Sequence, residues 1–304
     1  MTFALKVVTP IAYTDAKLVS NNVPETDYPV WASGNTYAVG DRVIKTTGVH
    51  KIYQSLQASN SNKDPVSNPT WWQEVSATNA WKMFDTSNST ATTNPLTISA
   101  RIKPGAVTNS AGFLGMVGGQ DLRLRMVDPT DGTVYDKTAN LRGVIPTATH
   151  YDYCFAKLNP ITEYTFTDLP AYATADILFD LTTASGNVSV ATVVMGYQTL
   201  IGQGVQYGAR LSIQDYSRKE TNQYGDSVLV KRSFARKGNF EMWLQKTEVD
   251  AVYNMLSQLR ATPLLWIATE EYTSTIIYGI YKDFEITIAY HDVSVCSLQL
   301  DGLT

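Results

Sequence analysis

Apolar and polar residues alternate over short stretches along most of this chain. Phe3, Leu5 and Val7 alternate within the first ten residues and predict a strand. Leu96, Ile98, Ala100 and Ile102 do the same against polar or small neighbours, as do Leu122, Leu124 and Met126 against Arg123 and Arg125. The pattern continues through Tyr164 and Phe166, through Ile177, Phe179 and Leu181 beside Asp176 and Asp180, and through Val188, Val190 and Val194. A period of two turns one side of each strand to a core and the other to water. Asp128–Gly132 and Ser185–Asn187 read as turns, and strands punctuated in this way predict an antiparallel β-sandwich over residues 77–210.

Residues 211–304 carry a second periodicity. Phe240, Met242 and Leu244 mark a strand, after which Val249, Val252, Met255, Leu256 and Leu259 fall on one face of a helix ending at Arg260, with Pro263 just beyond it. Thr247-Glu-Val-Asp250 occupies the capping-box position, with Asp where Glu is usual. Leu264–Ala268, Thr275–Tyr290 and Ser294–Leu300 predict strands, which makes this part a sheet with one clear helix packed on it, an α+β domain. The polar run from Ser20 to Pro29 reads as a connector. It leaves residues 1–28 as an N-terminal strand and connector and 29–76 as a separate small module. The fold class expected is therefore mainly β, in three parts: a small three-stranded aromatic module, an antiparallel β-sandwich and a C-terminal α+β domain.

Composition strengthens this reading. Only 17% of residues are charged, against about 25% in an ordinary globular protein, and 18 are Tyr, a residue that suits a pleated, half-buried surface. A net charge of −4 offers no general attraction for a phosphate backbone, so nucleic acid is not an expected partner. The basic cluster Lys231-Arg232 with Arg236-Lys237 reads as a solvated strand face. No window approaches the ~20 apolar residues of a membrane span, so no membrane insertion is expected. The opening residues lack a basic stretch followed by a long apolar run, so no secretory leader is expected either. Cys154 and Cys296 lie in apolar or aromatic surroundings and read as buried thiols, with a disulfide between them as the open alternative.

Reactive chemistry is sparse. His50, His150 and His291 have no partner at metal-ligand spacing, and the chain holds no H-E-x-x-H, C-x-x-C or G-x-S-x-G. No catalytic residue, metal or cofactor is expected. Gly202-Gln-Gly-Val-Gln-Tyr-Gly208 has the wrong glycine spacing for a dinucleotide fingerprint, and no helix pattern follows whose N-terminus could meet a phosphate. Glu270-Glu271 and the Asp128/Asp131 pair read as surface and turn acids.

The densest aromatic stretch is WASGNTYAVGDRV, Trp31–Val43. Gly34 and Gly40 provide tight turns, a strand runs from Asp41 through Ile44, Ile52 and Tyr53 belong to its partner, and a third element closes at Trp71-Trp72-Gln-Glu-Val75. So short a module buries little surface without disulfides or metal, so a few large rings must supply its core. Trp31, Gly34, Tyr37, Gly40, Asp41, Val43, Tyr53, Pro65 and Trp71/Trp72 match, in order and roughly in spacing, the small carbohydrate-binding modules of families 5 and 12, which residues 29–76 resemble. The resemblance implies a short antiparallel sheet whose exposed rings stack on sugar rings. By position it makes Tyr53, Trp71 and Trp72 the candidate stacking residues and leaves Trp31 and Tyr37 to the core. The polar insertion Gln57–Pro65 departs from a chitin-binding groove.

Asn79–Asp85, Val194–Tyr197, Ile213–Glu220 and Cys296–Gly302 in turn resemble the virion tail and baseplate proteins of tailed bacteriophages that carry this module. That resemblance implies a non-enzymatic structural component of a tail tip or baseplate, made in the bacterial host cytoplasm and located in the virion. Its expected partners are other tail proteins, further copies of itself in a ring, and the host cell-surface polysaccharide. Two other classes remain open: a polysaccharide-active enzyme with an appended carbohydrate-binding module, and a free lectin-like binding protein.

Overall fold

The computed structural model describes residues 4–143, 149–155, 159–221, 225–288 and 290–303, with the backbone alone for 152–154. Strand accounts for 51% of the chain and helix for 7%, so the protein is mainly β. One curled antiparallel sheet of ten strands forms its frame. In spatial order it runs through Tyr164–Phe166, Ser110–Leu114, Thr192–Ile201, Leu5–Pro10, Leu264–Ile267, Ile276–Thr287, Val293–Gly302 and Phe234–Gln245. The last of these pairs along different stretches with Gly204–Val205 and Arg210–Asp215. A second sheet orders Gly132–Asn140, Asp121–Asp128, Asp176–Val190, Thr92–Ile102 and Leu18–Asn21.

The two sheets face one another across the larger core. Ile98, Ala100, Ile102, Leu122, Leu124, Met126, Ile177, Phe179 and Leu181 come from the five-stranded sheet, and Ala111, Phe113, Phe166, Val193 and Met195 from the ten-stranded one. Every apolar position of the alternating 122/124/126 and 177/179/181 runs is fully buried, as a half-buried strand requires. A second core fills the other end of the frame, where Val252 and Leu256 of the helix Val249–Gln258 pack with Phe240, Met242, Leu244, Trp266 and Leu298.

The division into parts at residues 28 and 210 does not coincide with a break in the sheets. Leu5–Pro10 lies between Thr192–Ile201 and Leu264–Ile267, with Val7 opposite both Thr199 and Trp266. The first strand therefore joins the two portions that sequence patterning separates. Its two sides reach different cores: Leu5 and Val7 enter the one under the helix, and Val8 enters a third cluster with Leu114, Val194, Leu265 and Tyr278. A strand buried on both sides belongs to the middle of a sheet, and a period-two pattern reports only one side.

Two local expectations also change. Ser185–Asn187 is not a turn between strands; it is a bulge within Asp176–Val190, where the register against Thr92–Ile102 jumps between Thr182 and Asn187 and Gly186 takes φ +81. The helix begins at Glu248 without a side-chain cap, so the Thr247 capping box does not form. Glu248 instead accepts from the Gln245 amide at 3.0 Å and from the Gln203 side chain at 2.7 Å, which ties the helix start to the sheet. Asp128–Gly132 is a turn as read: Asp128 accepts from the Thr130 and Asp131 amides at 2.8 and 3.2 Å, and Gly132 supplies φ +74.

The curl of the large sheet brings its two ends together. Glu163, just before the Tyr164–Phe166 edge, pairs with Arg236 of Phe234–Gln245, and Arg236 also donates to the carbonyls of Thr273 at 3.2 Å and Ile276 at 3.4 Å. Burial pushes the Glu163 carboxyl above the usual range, against the pull of Arg236. Cys296 is a free buried thiol whose pKa burial pushes up to about 11, whereas the Cys154 side chain lies outside the described residues.

Candidate functional site

The aromatic module folds on its own small core. Arg42–Lys45, Lys51–Ser55 and Trp72–Ala77 form a three-stranded antiparallel sheet, and Thr36–Tyr37 pairs with Asn60–Ser61 beside it. The core is Tyr37, Val43, Tyr53 and Trp72. Tyr37 and Trp72 meet edge to face, with centroids 5.2 Å apart. Each ring also satisfies its polar atom. The Tyr37 hydroxyl accepts from the Ala32 amide at 2.9 Å and donates to the Ala32 carbonyl at 3.2 Å, while the Trp72 indole donates to the Lys63 carbonyl at 2.8 Å. Turn chemistry holds the frame: Asp41 accepts from the Ala38 amide at 2.7 Å, and Gly40 takes φ +90, a conformation suited to glycine. Gly34 also lies in a turn, but at ordinary φ and with open space where a Cβ would stand.

This core corrects the choice of stacking rings. Tyr53 is 5% exposed and Trp72 only 2%, so neither offers a face to a ligand. Burial raises the Tyr53 hydroxyl above its ordinary value. Trp31, expected in the core, is half-buried against it, as is Trp71; Tyr37 lies inside as expected. Trp72 opens the strand Trp72–Ala77 with its side chain in the core, where its indole reaches a backbone acceptor, whereas Trp71 lies in the turn before that strand and packs against the core from outside.

The two outer rings share a pattern. The Lys45 ammonium lies 5.4 Å from the Trp31 ring centroid, and the Lys63 ammonium lies 5.6 Å from that of Trp71. Lys45 is also paired with Asp64, whose carboxyl that contact holds below its ordinary value. The indole nitrogen of Trp31 is shielded and has no hydrogen-bond partner. The polar insertion is built into the module: its Asn60 donates to Ser55 Oγ at 3.0 Å, Asp64 caps Val66 at 2.9 Å, and its Lys63 carbonyl receives Trp72.

His50 anchors the module to the body. Its ring nitrogens lie 2.7 Å from Asp15 and 2.8 Å from Glu25, and its ring stacks on Trp81 at 4.1 Å and 16°. Glu25 also accepts from Thr78 at 2.6 Å, at the exit of the module. We predict that His50→Ala loosens this attachment by about 1–2 kcal/mol, the scale of a pair of charge-assisted bonds that are only partly buried. Amide exchange should then rise around residues 48–51 and 78–81 while the melting of the rest stays unchanged; an unaltered exchange pattern would contradict the anchoring role.

A pH dependence follows from the same contacts. Asp15 is held low chiefly by its bond to His50, and Asp64 chiefly by its bond to Lys45. A depressed carboxyl stabilises the fold above its unfolded value, near 4, and that contribution disappears as pH falls through the depressed folded value. Module stability should therefore decline below about pH 4, and Asp64→Asn should flatten part of the decline. A decline of equal steepness in Asp64→Asn and wild type would contradict the assignment.

Three carboxylates outside the module are tied into structural bonds. Glu270 pairs with Lys6 and accepts from Thr167, Asp128 accepts from Thr174 as well as from its turn amides, and Asp131 accepts from Tyr172 at 3.1 Å. Among the described residues no three His, Cys, Asp or Glu side chains converge as metal ligands. No described helix is long and apolar enough to cross a membrane. Comparison with models of protein families, with curated proteins and with solved structures gave no match to this chain.

Proposed function

We propose that the protein is a non-enzymatic structural component of a bacteriophage tail tip or baseplate, with residues 29–76 contacting host cell-surface polysaccharide during adsorption. The observation that carries this reading is the module's division of its rings: a closed core of Tyr37, Tyr53 and Trp72 leaves Trp31 and Trp71 half-exposed on a rigid support. An indole face stacks on the apolar face of a pyranose, and each such contact contributes on the order of 1 kcal/mol beyond the area it buries. Affinity per copy is then modest, and adhesion depends on many copies presented together, as in a symmetric tail. The carboxylates outside the module support the non-enzymatic part of the reading, because Glu270, Asp128 and Asp131 are engaged in structural bonds rather than left to share a cleft.

The test is retention of the full chain on insoluble chitin and on purified peptidoglycan and capsular polysaccharide. Wild type should be retained on at least one, and Trp71→Ala should lower retention by about fivefold or more while the module still folds. Failure of wild type to bind any of them, or equal retention of the variant, would remove the glycan reading.

A further inference from the structure

A two-stranded ribbon leaves the ten-stranded sheet and runs into solvent. Arg210–Asp215 pairs with the first half of Phe234–Gln245, and the ribbon continues as Arg218–Thr221 against Ser227–Val230. Val293–Gly302, which flanks Phe234–Gln245 on its other side, pairs no farther out than Lys237 with Asp301. Every described residue from 207 to 234 is exposed. Two strands without a covered face are at best marginally stable in water.

The ribbon nevertheless carries an apolar stripe that continues a core face. Leu244, Met242 and Phe240 are fully buried on one side of Phe234–Gln245. On that same side, farther out, come Gly238 opposite Leu211, Arg236 opposite Ile213, and Phe234. Leu211, Ile213 and Phe234 are 42%, 64% and 50% exposed, and Leu229 beyond them is 78% exposed. Among the described residues no strand lies beside the outer side of Arg210–Asp215, which leaves its backbone groups open to pairing. Charge favours one kind of occupant. Residues 210–232 hold five basic and three acidic side chains, a net +2, and the remaining 19 basic and 25 acidic residues leave the rest of the chain at −6.

We propose that this ribbon is an assembly surface on which a second copy of the chain docks, covering the Leu211, Ile213, Phe234 and Leu229 side chains with its acidic body. A ribbon of one sign and a body of the other give a copy what its neighbour lacks, and the contact joins unlike surfaces, so it repeats from copy to copy. The inference stands on the exposed stripe and the charge difference, and it holds whether or not the module binds sugar.

Sedimentation of the full chain tests it. Wild type should associate at tens of micromolar, and Ile213→Asp with Leu229→Asp should weaken association by roughly thirtyfold or more. Both positions are exposed, so melting should stay as in wild type, and charge reversal with Lys231→Glu and Arg232→Glu should also weaken association. A wild-type chain that remains monomeric would overturn the proposal, as would a double variant that melts normally and associates as before.

Discussion

Trp72→Ala is expected to unfold the aromatic module while leaving the two large cores intact. The indole is 2% exposed, packs edge to face with Tyr37, and gives its nitrogen to the Lys63 carbonyl. Removing a buried Trp costs about 3–5 kcal/mol, a cavity included, and here the part-buried Lys63 carbonyl loses its donor as well. A core of four side chains has little else to draw on. Thermal unfolding followed by near-ultraviolet circular dichroism should lose its earliest transition in this variant. Trp71→Ala, which removes a ring packed on the outside of that core, should keep the transition. If Trp72→Ala retains the module's transition, the core has been assigned to the wrong ring.

Gly196→Ala should damage both halves of the frame at once. Gly196 pairs with Pro10, and a Cβ there would run into the Thr9 carbonyl, which belongs to backbone and cannot swing aside. Crowding of this kind costs about 1–3 kcal/mol and more when only a strand shift relieves it. The strand that must shift, Leu5–Pro10, also pairs with Leu264–Ile267, so the strain passes from one portion to the other. Amide protection should fall in Thr192–Ile201 and equally in Leu264–Ile267. Loss confined to residues before 210 would mean that the two portions are independent units and that the shared strand is incidental.

The parts of the fold legible in sequence are those with one buried side. Leu122, Leu124 and Met126 alternate with arginines and lie in the core, and the helix face of Val252 and Leu256 was readable from spacing alone. Leu5–Pro10 was legible as a strand but not in its place, because pairing with residues about 190 and 260 positions away leaves no local trace. The bulge at 182–187 contains Gly and Asn and so resembles a turn, the same residues serving both geometries.

The module shows the same limit at closer range. Its ring content and its turns at Gly34 and Gly40 were readable, yet the partition of rings was not. Tyr53 and Trp72 lie inside because their strands turn them to the core, where the Trp72 indole finds a backbone partner, whereas Trp31 packs against the core from a segment outside the strands, with no partner for its indole nitrogen. No local signal marked which of the two adjacent indoles, Trp71 in the turn or Trp72 at the strand start, lies in the core. His50 left none, since Asp15, Glu25 and Trp81 come from segments before and after the module. The ribbon at 210–234 was barely legible: only its basic cluster Lys231-Arg232 read as a solvated strand face, and the absence of a covering layer is a property of the assembled sheet.

The most direct measurement is a titration of the six indole N–H signals of the full chain with N-acetylglucosamine oligomers and with solubilised peptidoglycan and capsular fragments. Trp31 and Trp71 should shift together and saturably with at least one of these ligands, while Trp72, Trp81, Trp243 and Trp266 stay in place. Shifts centred on another indole such as Trp243, or six unmoved signals across all the ligands, would contradict a glycan-binding platform built from the two outer rings of this module.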